Sequence, residues 1–364
     1  MKSGWMTSGP KTQKFEQQFA GKIGAKYSIA LNSATAGLHL CLSALELKAD
    51  EYVITTPYTF NSSASVIRYF NAHPIFVDID PQTFNIDPEQ IKEMLRNHPN
   101  VDKIKAMIIV HIAGQTCEMD KILEIAKEYN FKVIEDAAHA LPSTFQGENA
   151  GCIGDFGVYS FYATKTLCTG EGGMVVCKDE DHYKKIRSQR LHGFTKIAWD
   201  RYSSDQEKLW AYDISELGYK YNMTDIAASM GIHQLKKMGV FYEKRKKIAE
   251  CYDRSFQGLS NVETPYRKDK NDIHSYHLYI LQVDAKIRDT FIEELREKKI
   301  GTSVHFIPLH LLSYWKDAFN FQPEQFPNAL KCFNSAISLP IYTLMTNEQV
   351  DYICETVRTI SNKL

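Results

Sequence analysis

The sequence lacks the long apolar runs and paired cysteines that mark several classes of protein. No run approaches the roughly 18 uninterrupted apolar residues of a membrane span, and the first residues carry no stretch typical of a signal peptide. We therefore expect a cytoplasmic protein with no membrane partner. The eight cysteines are scattered singly, without a CxxC pair or a histidine at zinc-site spacing. This pattern predicts reduced thiols and no metal site.

An excess of one charge is also missing. The chain has 43 Lys+Arg against 44 Asp+Glu, a formal net charge of −1, and no long basic block. This balance excludes the electrostatic footprint of a dedicated nucleic-acid binder and favours a small-molecule partner. With 44% hydrophobic residues the chain is not disordered, and 364 residues suffice for one large unit and a smaller one.

Apolar strands alternate with amphipathic helices in the first part of the chain. The predicted strands cover 27–32, 51–57, 73–80, 105–114 and 131–140. Strands this uniformly apolar, separated by helices, predict an α/β fold with a mostly parallel central sheet flanked by helices. After Asp155 two close strands surround a lysine, and a long helix runs from Thr224 to about Phe256.

The long helix is the expected site of the domain boundary. We divide the chain near residue 240, into a large domain over 1–240 and a smaller C-terminal α/β domain over 241–364. The smaller domain is predicted to contain the strands HLYILQVD and SVHFI and the closing helix NEQVDYICETVRTI.

Three motifs follow predicted strands, where open α/β sheets bind ligands. The first is Asn32-Ser33-Ala34-Thr35, which precedes a helix and would aim backbone N–H groups and two hydroxyls at an anion. Taken singly, the tetrapeptide is better explained as an ordinary helix cap.

The second motif contains Asp136 and His139, at the end of the apolar strand VIED. The carboxylate could pair with a protonated ring nitrogen, and the imidazole could contact the same ring. An Asp that caps the next turn and an interior His would explain the fragment equally well.

The third motif is SFYATK, ending at Lys165 and followed by GEGG at 170–173. A lysine at a buried strand end, beside glycines that admit another backbone, suits a Schiff-base amine with a lowered pKa. Most lysines are solvated surface charges, so the motif gains weight only when all three are combined.

The same motifs, in order, carry a family resemblance over nearly the whole chain. The matching stretches include SGWMTSGPKTQKFEQQFA, ALNSATAGLHL, VDIDPQTFNID, VIEDAAHA, FYATKTLCTGEGGMVV, RLHGF, GYKYNMTDIAA, SYHLYILQVD, IGTSVHF and SLPIY. With these stretches the chain resembles the DegT/DnrJ-type sugar aminotransferases, fold-type I enzymes that use pyridoxal 5'-phosphate (PLP). Within that family it looks most like members that aminate a 4-keto sugar on the route to UDP-linked 4-amino-4-deoxy-L-arabinose.

The resemblance implies a role for each matched position. Lys165 matches the lysine that binds the cofactor covalently, Asp136 the partner of its pyridine nitrogen, and His139 a neighbour of its phenolic oxygen. Phe60 matches an aromatic that stacks on the ring. The implied phosphate cradle is Ser33, Ala34, Thr35 and Ser160, with Asn222 reaching it from the partner subunit of a homodimer. The implied substrate contacts are Tyr162, His305 and His310.

The implied reaction moves an amino group from L-glutamate to a nucleotide-linked keto sugar, with pyridoxamine phosphate left on the enzyme between the two half-reactions. Displaced from the cofactor as a free amine, Lys165 would act as general base and then as general acid. The product would be an amino sugar for cell-surface polysaccharide, lipopolysaccharide or antibiotic biosynthesis.

Three alternatives explain parts of the pattern. A PLP-dependent sugar dehydratase of the same family carries His in place of the lysine, whereas this sequence has Lys165. A nicotinamide oxidoreductase would need a GxGxxG turn, which the sequence does not contain. A non-enzymatic regulatory relative is disfavoured by the intact Asp136, His139 and Lys165.

Other features have simpler interpretations. Helical spacing predicts that Phe15, Phe19 and Ile23 are core residues. The basic cluster at 236–237 and 244–247 is expected to be a solvated helix face, and the aromatic segment 199–212 could form a lid.

The resemblance also implies a lead-in strand and helix before SGW, so we expect either a short N-terminal segment or a sequence that starts late.

Overall fold

A seven-stranded sheet lies at the centre of the fold. The computed structural model describes residues 4–195, 212–267 and 271–364. The sheet contains β1 (Tyr27–Leu31), β2 (Tyr52–Thr55), β3 (His73–Phe76), β4 (Ile104–Val110), β5 (Lys132–Asp136), β8 (Phe156–Ser160) and β9 (Gly173–Cys177). Their order is β1-β9-β8-β5-β4-β2-β3, and only β9 runs antiparallel to its neighbours. The prediction of a mostly parallel sheet is confirmed.

Helices cover both faces of this sheet. They are α1 (Pro10–Ile23), α2 (Ala34–Ala44), α3 (Ser62–Arg68), α4 (Pro88–Asn97), α5 (Met119–Tyr129), α6 (Glu180–Gln189) and α7 (Asp225–Phe256). Adjacent residues of one strand point to opposite faces, so Ile108 packs in the cluster with α2 and α6 while Ile109 packs with α4 and α5. This double burial explains why the strands are apolar throughout.

The predicted core residues of α1 are confirmed. Phe15 and Phe19 are fully buried and Ile23 is nearly so, in a cluster with Tyr159 and with α7. A short hairpin of β6 (Thr144–Phe145) and β7 (Glu148–Asn149) lies outside the main sheet. Along the described ranges, no helix has the length and apolarity needed to cross a membrane.

A second, antiparallel sheet forms in the C-terminal part. It contains β10 (Val262–Glu263), β11 (Tyr279–Val283) and β12 (Ala336–Leu339), in that order. The remaining helices are α8 (Arg288–Glu297), α9 (Ser313–Phe319), α10 (Pro327–Ser335) and α11 (Asn347–Lys363). Short 3₁₀ turns in the described ranges connect elements at Val101–Lys103, Ile112–Gly114, Leu309–Leu311 and Pro323–Gln325.

The long helix α7 passes through the residue at which the sequence was divided. Its Ile232 and Leu235 pack in the cluster with α1, whereas Ile248 and Tyr252 pack in the cluster with β11 and α11. The helix is continuous across residue 240. A boundary there remains our proposal.

Three expectations need comment. SVHFI does not form a strand, because only Ser303 bridges to Ser338 at the edge of β12. The basic cluster is not uniformly solvated, because Arg245 is 5% exposed, although its neighbours Lys244 and Lys247 are exposed. The proposed lid at 199–212 lies outside the described residues except for the exposed Tyr212.

Candidate active site

A cavity of about 1280 Å³ opens where the large sheet meets the C-terminal part of the chain. It is large enough for a cofactor together with a substrate. The predicted site residues that line it are Ser33, Ala34, Thr35, Phe60, Asp136, His139, Ser160, Tyr162, Lys165 and His305. The three strand-end motifs, far apart in the sequence, therefore meet in one cavity.

Asp136 ends β5 and is 5% exposed. Ser63 Oγ donates to its Oδ2 at 2.8 Å, and the Ala138 backbone N–H donates to its Oδ1 at 3.2 Å. The pKa of Asp136 is raised overall, because the effect of burial exceeds the opposing effects of these hydrogen bonds and of the nearby Lys165 charge. No ion pair to this carboxylate exists among the residues that the structure describes, so a cationic ring nitrogen would find its counter-charge here.

Lys165 follows β8 and is partly buried in the cavity wall. Burial lowers the pKa of its amine to about 8, against the opposing effect of the Asp136 carboxylate. A surface lysine is almost fully protonated at pH 7, whereas with a pKa of about 8 roughly a tenth of the Lys165 amines are neutral there. The side chain is therefore suited to act as a nucleophile or a proton carrier.

His139 is fixed in orientation and in charge. The Ala113 backbone N–H donates to its Nδ1 at 3.3 Å, which leaves the proton of the neutral ring on Nε2. Burial, with the positive charges of Lys165 and His305 nearby, lowers the pKa of His139 well below its usual value. The ring is thus a neutral hydrogen-bond donor in the cavity wall.

The N-terminal end of α2 lies at one side of the cavity. Ser33 caps the helix, accepting from the Ala36 N–H at 3.1 Å, and it lines the cavity as well. The helix-cap interpretation of the tetrapeptide is therefore confirmed, and anion binding stays a prediction. Gly173 lies against this turn, and a Cβ there would come within 2.5 Å of the Ser33 carbonyl carbon. A glycine at that position lets the helix end approach the sheet edge.

Two predicted residues do not line the cavity. Asn222 is 8% exposed; its Nδ2 donates to Ser8 Oγ at 2.9 Å, and its Oδ1 accepts from Lys220 Nζ. His310 is 1% exposed and its Nε2 lies 3.2 Å from the Pro323 carbonyl oxygen. The structure therefore does not bring His310 to a substrate in this cavity, and we withdraw that expectation.

Sequence reasoning missed three residues of this region. Ser63 orients Asp136 but belongs to none of the stretches that carry the resemblance. His277 and Arg245 both line the cavity from the C-terminal side. The rings of His139 and His277 are tilted by 37° with centroids 4.3 Å apart. His277 lies in the matched stretch SYHLYILQVD and Arg245 in a run of lysines, and both reach the cavity only through long-range folding.

Comparison with known proteins identifies the family. The sequence profile of the DegT/DnrJ/EryC1/StrS aminotransferase family matches residues 1–358. The chain belongs to this family. It is 50% identical over 99% of its length to the uncharacterized protein MJ1066 of Methanocaldococcus jannaschii, and 43% identical over 99% to the spore coat polysaccharide biosynthesis protein SpsC of Bacillus subtilis. These alignments cover 92% of each relative.

Solved structures of the family superpose closely on this sugar aminotransferase. The pyridoxamine phosphate form of the putative sugar aminotransferase Spr1654 from Streptococcus pneumoniae gives a TM-score of 0.91 at 35% identity, covering 100% of this chain and 94% of that one. PseC of Helicobacter pylori, an aminotransferase involved in the biosynthesis of pseudoaminic acid, gives 0.91 at 27% identity with the same coverage. A PLP form of Spr1654 also matches, with a TM-score of 0.90.

The residues of this sugar aminotransferase fit PLP, the cofactor of the family. The end of α2 offers backbone N–H groups to the phosphate, and Ser160 lies in the same cavity. The buried carboxylate of Asp136 suits a protonated pyridine nitrogen, and the Lys165 amine suits covalent attachment. The wall therefore contains residues that suit the phosphate, the ring nitrogen and the aldehyde of the cofactor.

Proposed function

We propose that this aminotransferase moves the amino group of L-glutamate to a nucleotide-linked keto sugar, with the 4-keto group of a UDP-linked sugar as the first candidate. The observation that carries the proposal is the meeting of Lys165, Asp136 and His139 in one cavity of about 1280 Å³. The volume exceeds what the cofactor alone requires, which leaves room for a large second substrate. The similarity to SpsC and PseC supports a role in making sugars for polysaccharides or related glycans.

When bound, PLP supplies a ring that accepts the electron pair released as the Cα–H bond of the amino donor breaks. Asp136 holds a proton on the ring nitrogen, because its buried carboxylate is a strong partner for that cation. Ser63 holds the carboxylate in position through the 2.8 Å hydrogen bond. His139 donates from Nε2 to an oxygen on the ring.

Lys165 moves the proton. In its neutral form the Nζ atom takes a proton from Cα of the amino donor, and as the ammonium it returns that proton on the cofactor side. A pKa of about 8 allows both states near neutral pH, so one group can serve as base and then as acid. In the half-reaction with the keto sugar the same transfers run in reverse.

The remaining proposed contacts surround this centre. We assign the cofactor phosphate to Ser33, Ala34, Thr35 and Ser160, and a stacking face to Phe60, which is 63% exposed in the isolated chain. Tyr162 and His305 are assigned to the sugar nucleotide. His305 Nδ1 lies 2.9 Å from Ser338 Oγ, a contact that holds the orientation of its ring.

We also propose that two chains share their active sites. Asn222 is buried outside the cavity of its own chain, and several large side chains near it are exposed: Ile214, Leu217, Ile226 and Met230. Exposed apolar residues in one region favour contact with another subunit. Asn222 would then reach the phosphate of the partner subunit. We place this dimer in the cytoplasm.

The dehydratase alternative is not proposed, because the lysine that it lacks is present here as Lys165. A regulator without activity is also not proposed, since a lysine with a lowered pKa beside a buried carboxylate has a clear chemical use.

The function is tested with a panel of UDP-, dTDP- and GDP-linked 3-keto and 4-keto sugars. Each is offered, with L-glutamate, to protein loaded with PLP, and amino sugar formation is measured by mass spectrometry. We expect one nucleotide-linked keto sugar to be aminated and Lys165→Ala to form no product. The exposed control Lys22→Ala should retain wild-type turnover. Failure with every keto sugar would contradict the proposed acceptor.

A further inference from the structure

Arg245 is a buried cation without a carboxylate partner. It is 5% exposed, yet no acidic side chain in the described part of the chain pairs with it. The other deeply buried arginine of this kind, Arg190, pairs with Glu16. An unpaired buried charge is costly, so a compensating anion is expected.

One side of the Arg245 guanidinium is fully used. Its Nη1 donates to the carbonyl oxygens of Tyr276, His277 and Ile341 at 3.1, 3.2 and 2.9 Å. Its Nε has no acceptor but has less than 1 Å² of accessible surface, so a ligand in the cavity does not reach it. No acceptor for Nη2 is found among the described residues. Nη2 is therefore the donor that is left for a ligand, and a guanidinium N–H forms a strong, charge-assisted hydrogen bond with a carboxylate oxygen.

The free donors belong to a side chain in the wall of the active-site cavity. Among the described lining residues, Lys165 and Arg245 are the only Lys or Arg. Lys165 is needed for attachment of the cofactor and for proton transfer. Arg245 is therefore the one permanent cation that this wall offers to an anionic substrate.

The position of Arg245 favours an anion close to the reacting amine. The arginine donates to the backbone carbonyl of His277, whose ring contacts the ring of His139 with centroids 4.3 Å apart. The positive charges of Lys165 and Arg245 both contribute to lowering the pKa of His277. In an amino acid the carboxylate is one carbon away from the transferred amine, whereas the diphosphate of a nucleotide sugar is separated from a keto carbon by part of the sugar ring.

We propose that Arg245 binds a carboxylate of the amino donor through Nη2. This rests on the proposed function, since it deepens the role of the donor half of the reaction. The ligand chemistry is an oxyanion, and the other possible source is the diphosphate of the sugar nucleotide. A single guanidinium in a wall that also contains the carboxylates of Asp136 and Glu171 suits a singly charged carboxylate better than a diphosphate.

Binding of glutarate and of UDP separates these two sources. Glutarate has the carboxylates of the donor but no amine, so it binds without reaction; UDP has the diphosphate but lacks the keto sugar. Affinities are measured by calorimetry on the PLP-loaded protein. We expect Arg245→Gln to weaken glutarate binding roughly 10- to 100-fold, the loss of a charge-assisted hydrogen bond, and to change UDP binding by less than about twofold.

Arg245→Lys should recover part of the glutarate affinity, because it keeps the charge but loses the planar guanidinium group. The matched control is Lys247→Gln, which removes a charge from the exposed side of the same helix and should change neither ligand. Weakened UDP with unchanged glutarate would overturn the proposal in favour of the diphosphate. Unchanged affinity for both ligands would also overturn it.

Arg245→Gln could fail to fold, because Nη1 ties three carbonyls together. A crystal structure of the wild-type protein with glutarate decides the question without a variant: a carboxylate within hydrogen-bond distance of Nη2 supports the proposal, and a carboxylate bound elsewhere overturns it. The glutarate measurements do not depend on turnover. If the wild-type protein binds glutarate at Arg245 but L-glutamate does not convert its PLP to pyridoxamine phosphate, only the proposed amino donor is contradicted.

Discussion

Ser63 Oγ donates a hydrogen bond of 2.8 Å to Asp136 Oδ2, joining the first turn of α3 to the carboxyl end of β5. Thr59 Oγ1 lies 2.9 Å from Ser63 Oγ and extends this buried chain of hydroxyls. Because the Asp136 carboxylate is buried, its direction is set by these few partners. The bond therefore determines where a ring nitrogen can be held.

Replacing Ser63 with Ala should weaken binding of PLP. Loss of the bond removes an interaction that lowers the pKa of Asp136, so that pKa rises and the carboxylate becomes a poorer partner for a cation. We expect roughly a 5- to 30-fold higher dissociation constant for PLP, the effect of one hydrogen bond to a charged group. Ser65→Ala on the same helix is the control. Equal affinity for PLP in the wild type, Ser63→Ala and Ser65→Ala would show that Ser63 does not position the carboxylate.

Attachment of PLP to the protein without cofactor should depend on pH through Lys165. Burial lowers the pKa of this amine from 10.5 to about 8, so the neutral, reactive form increases as the pH rises through about 8. The attachment rate should follow with a midpoint there. In Asp136→Asn the charge that raises this pKa is absent, and the midpoint should move to lower pH. A midpoint near that of a surface lysine, in either protein, would contradict the proposed burial.

Mixed dimers test whether active sites are shared. Lys165→Ala and Asn222→Ala should each be inactive or strongly impaired, the second because the phosphate of the neighbouring site loses a contact. After mixing and subunit exchange, one of the two sites in a mixed dimer has both residues intact. Some activity should return, measured as amino sugar formed per chain. Activity that stays at the level of the separate variants would argue against Asn222 acting across subunits.

Asp225 should contribute to stability rather than to chemistry. Its buried carboxylate accepts from the backbone N–H groups of Gly9, Lys11 and Thr12 at 2.8, 3.0 and 2.9 Å, and from Thr12 Oγ1 at 2.7 Å. Asp225→Asn places an amide against these donors and should lower the free energy of unfolding by roughly 2–4 kcal/mol. Thr12→Val loses one bond and should cost about 1 kcal/mol. Urea unfolding measures both, and an unchanged midpoint in Asp225→Asn would contradict this role.

The sequence was sufficient to predict the central sheet and most of the cavity. Runs such as KAMIIV are apolar at every position because both faces of β4 are covered, and the catalytic motifs stand at strand ends, which converge in parallel sheets. Lys165 and Asp136 could thus be placed in one site before the fold was known.

Residues that reach the site through long-range packing could not be predicted in this way. Arg245 lies within a run of lysines on α7, and nothing in that run distinguishes the one buried side chain from its exposed neighbours. The segment SVHFI has the alternation of a strand but has only the single bridge from Ser303 to β12. Local pattern does not determine whether a pairing edge is available.

The most direct test of the account follows the nitrogen atom itself. L-glutamate labelled with heavy nitrogen is mixed with PLP-loaded protein and the nucleotide-linked keto sugar that the panel selects, and both products are examined by mass spectrometry. The account predicts that the label appears in the amino sugar, with one 2-oxoglutarate formed for each sugar aminated, and that Lys165→Ala transfers none. An unlabelled sugar product, or a deoxygenated sugar without nitrogen, would contradict it.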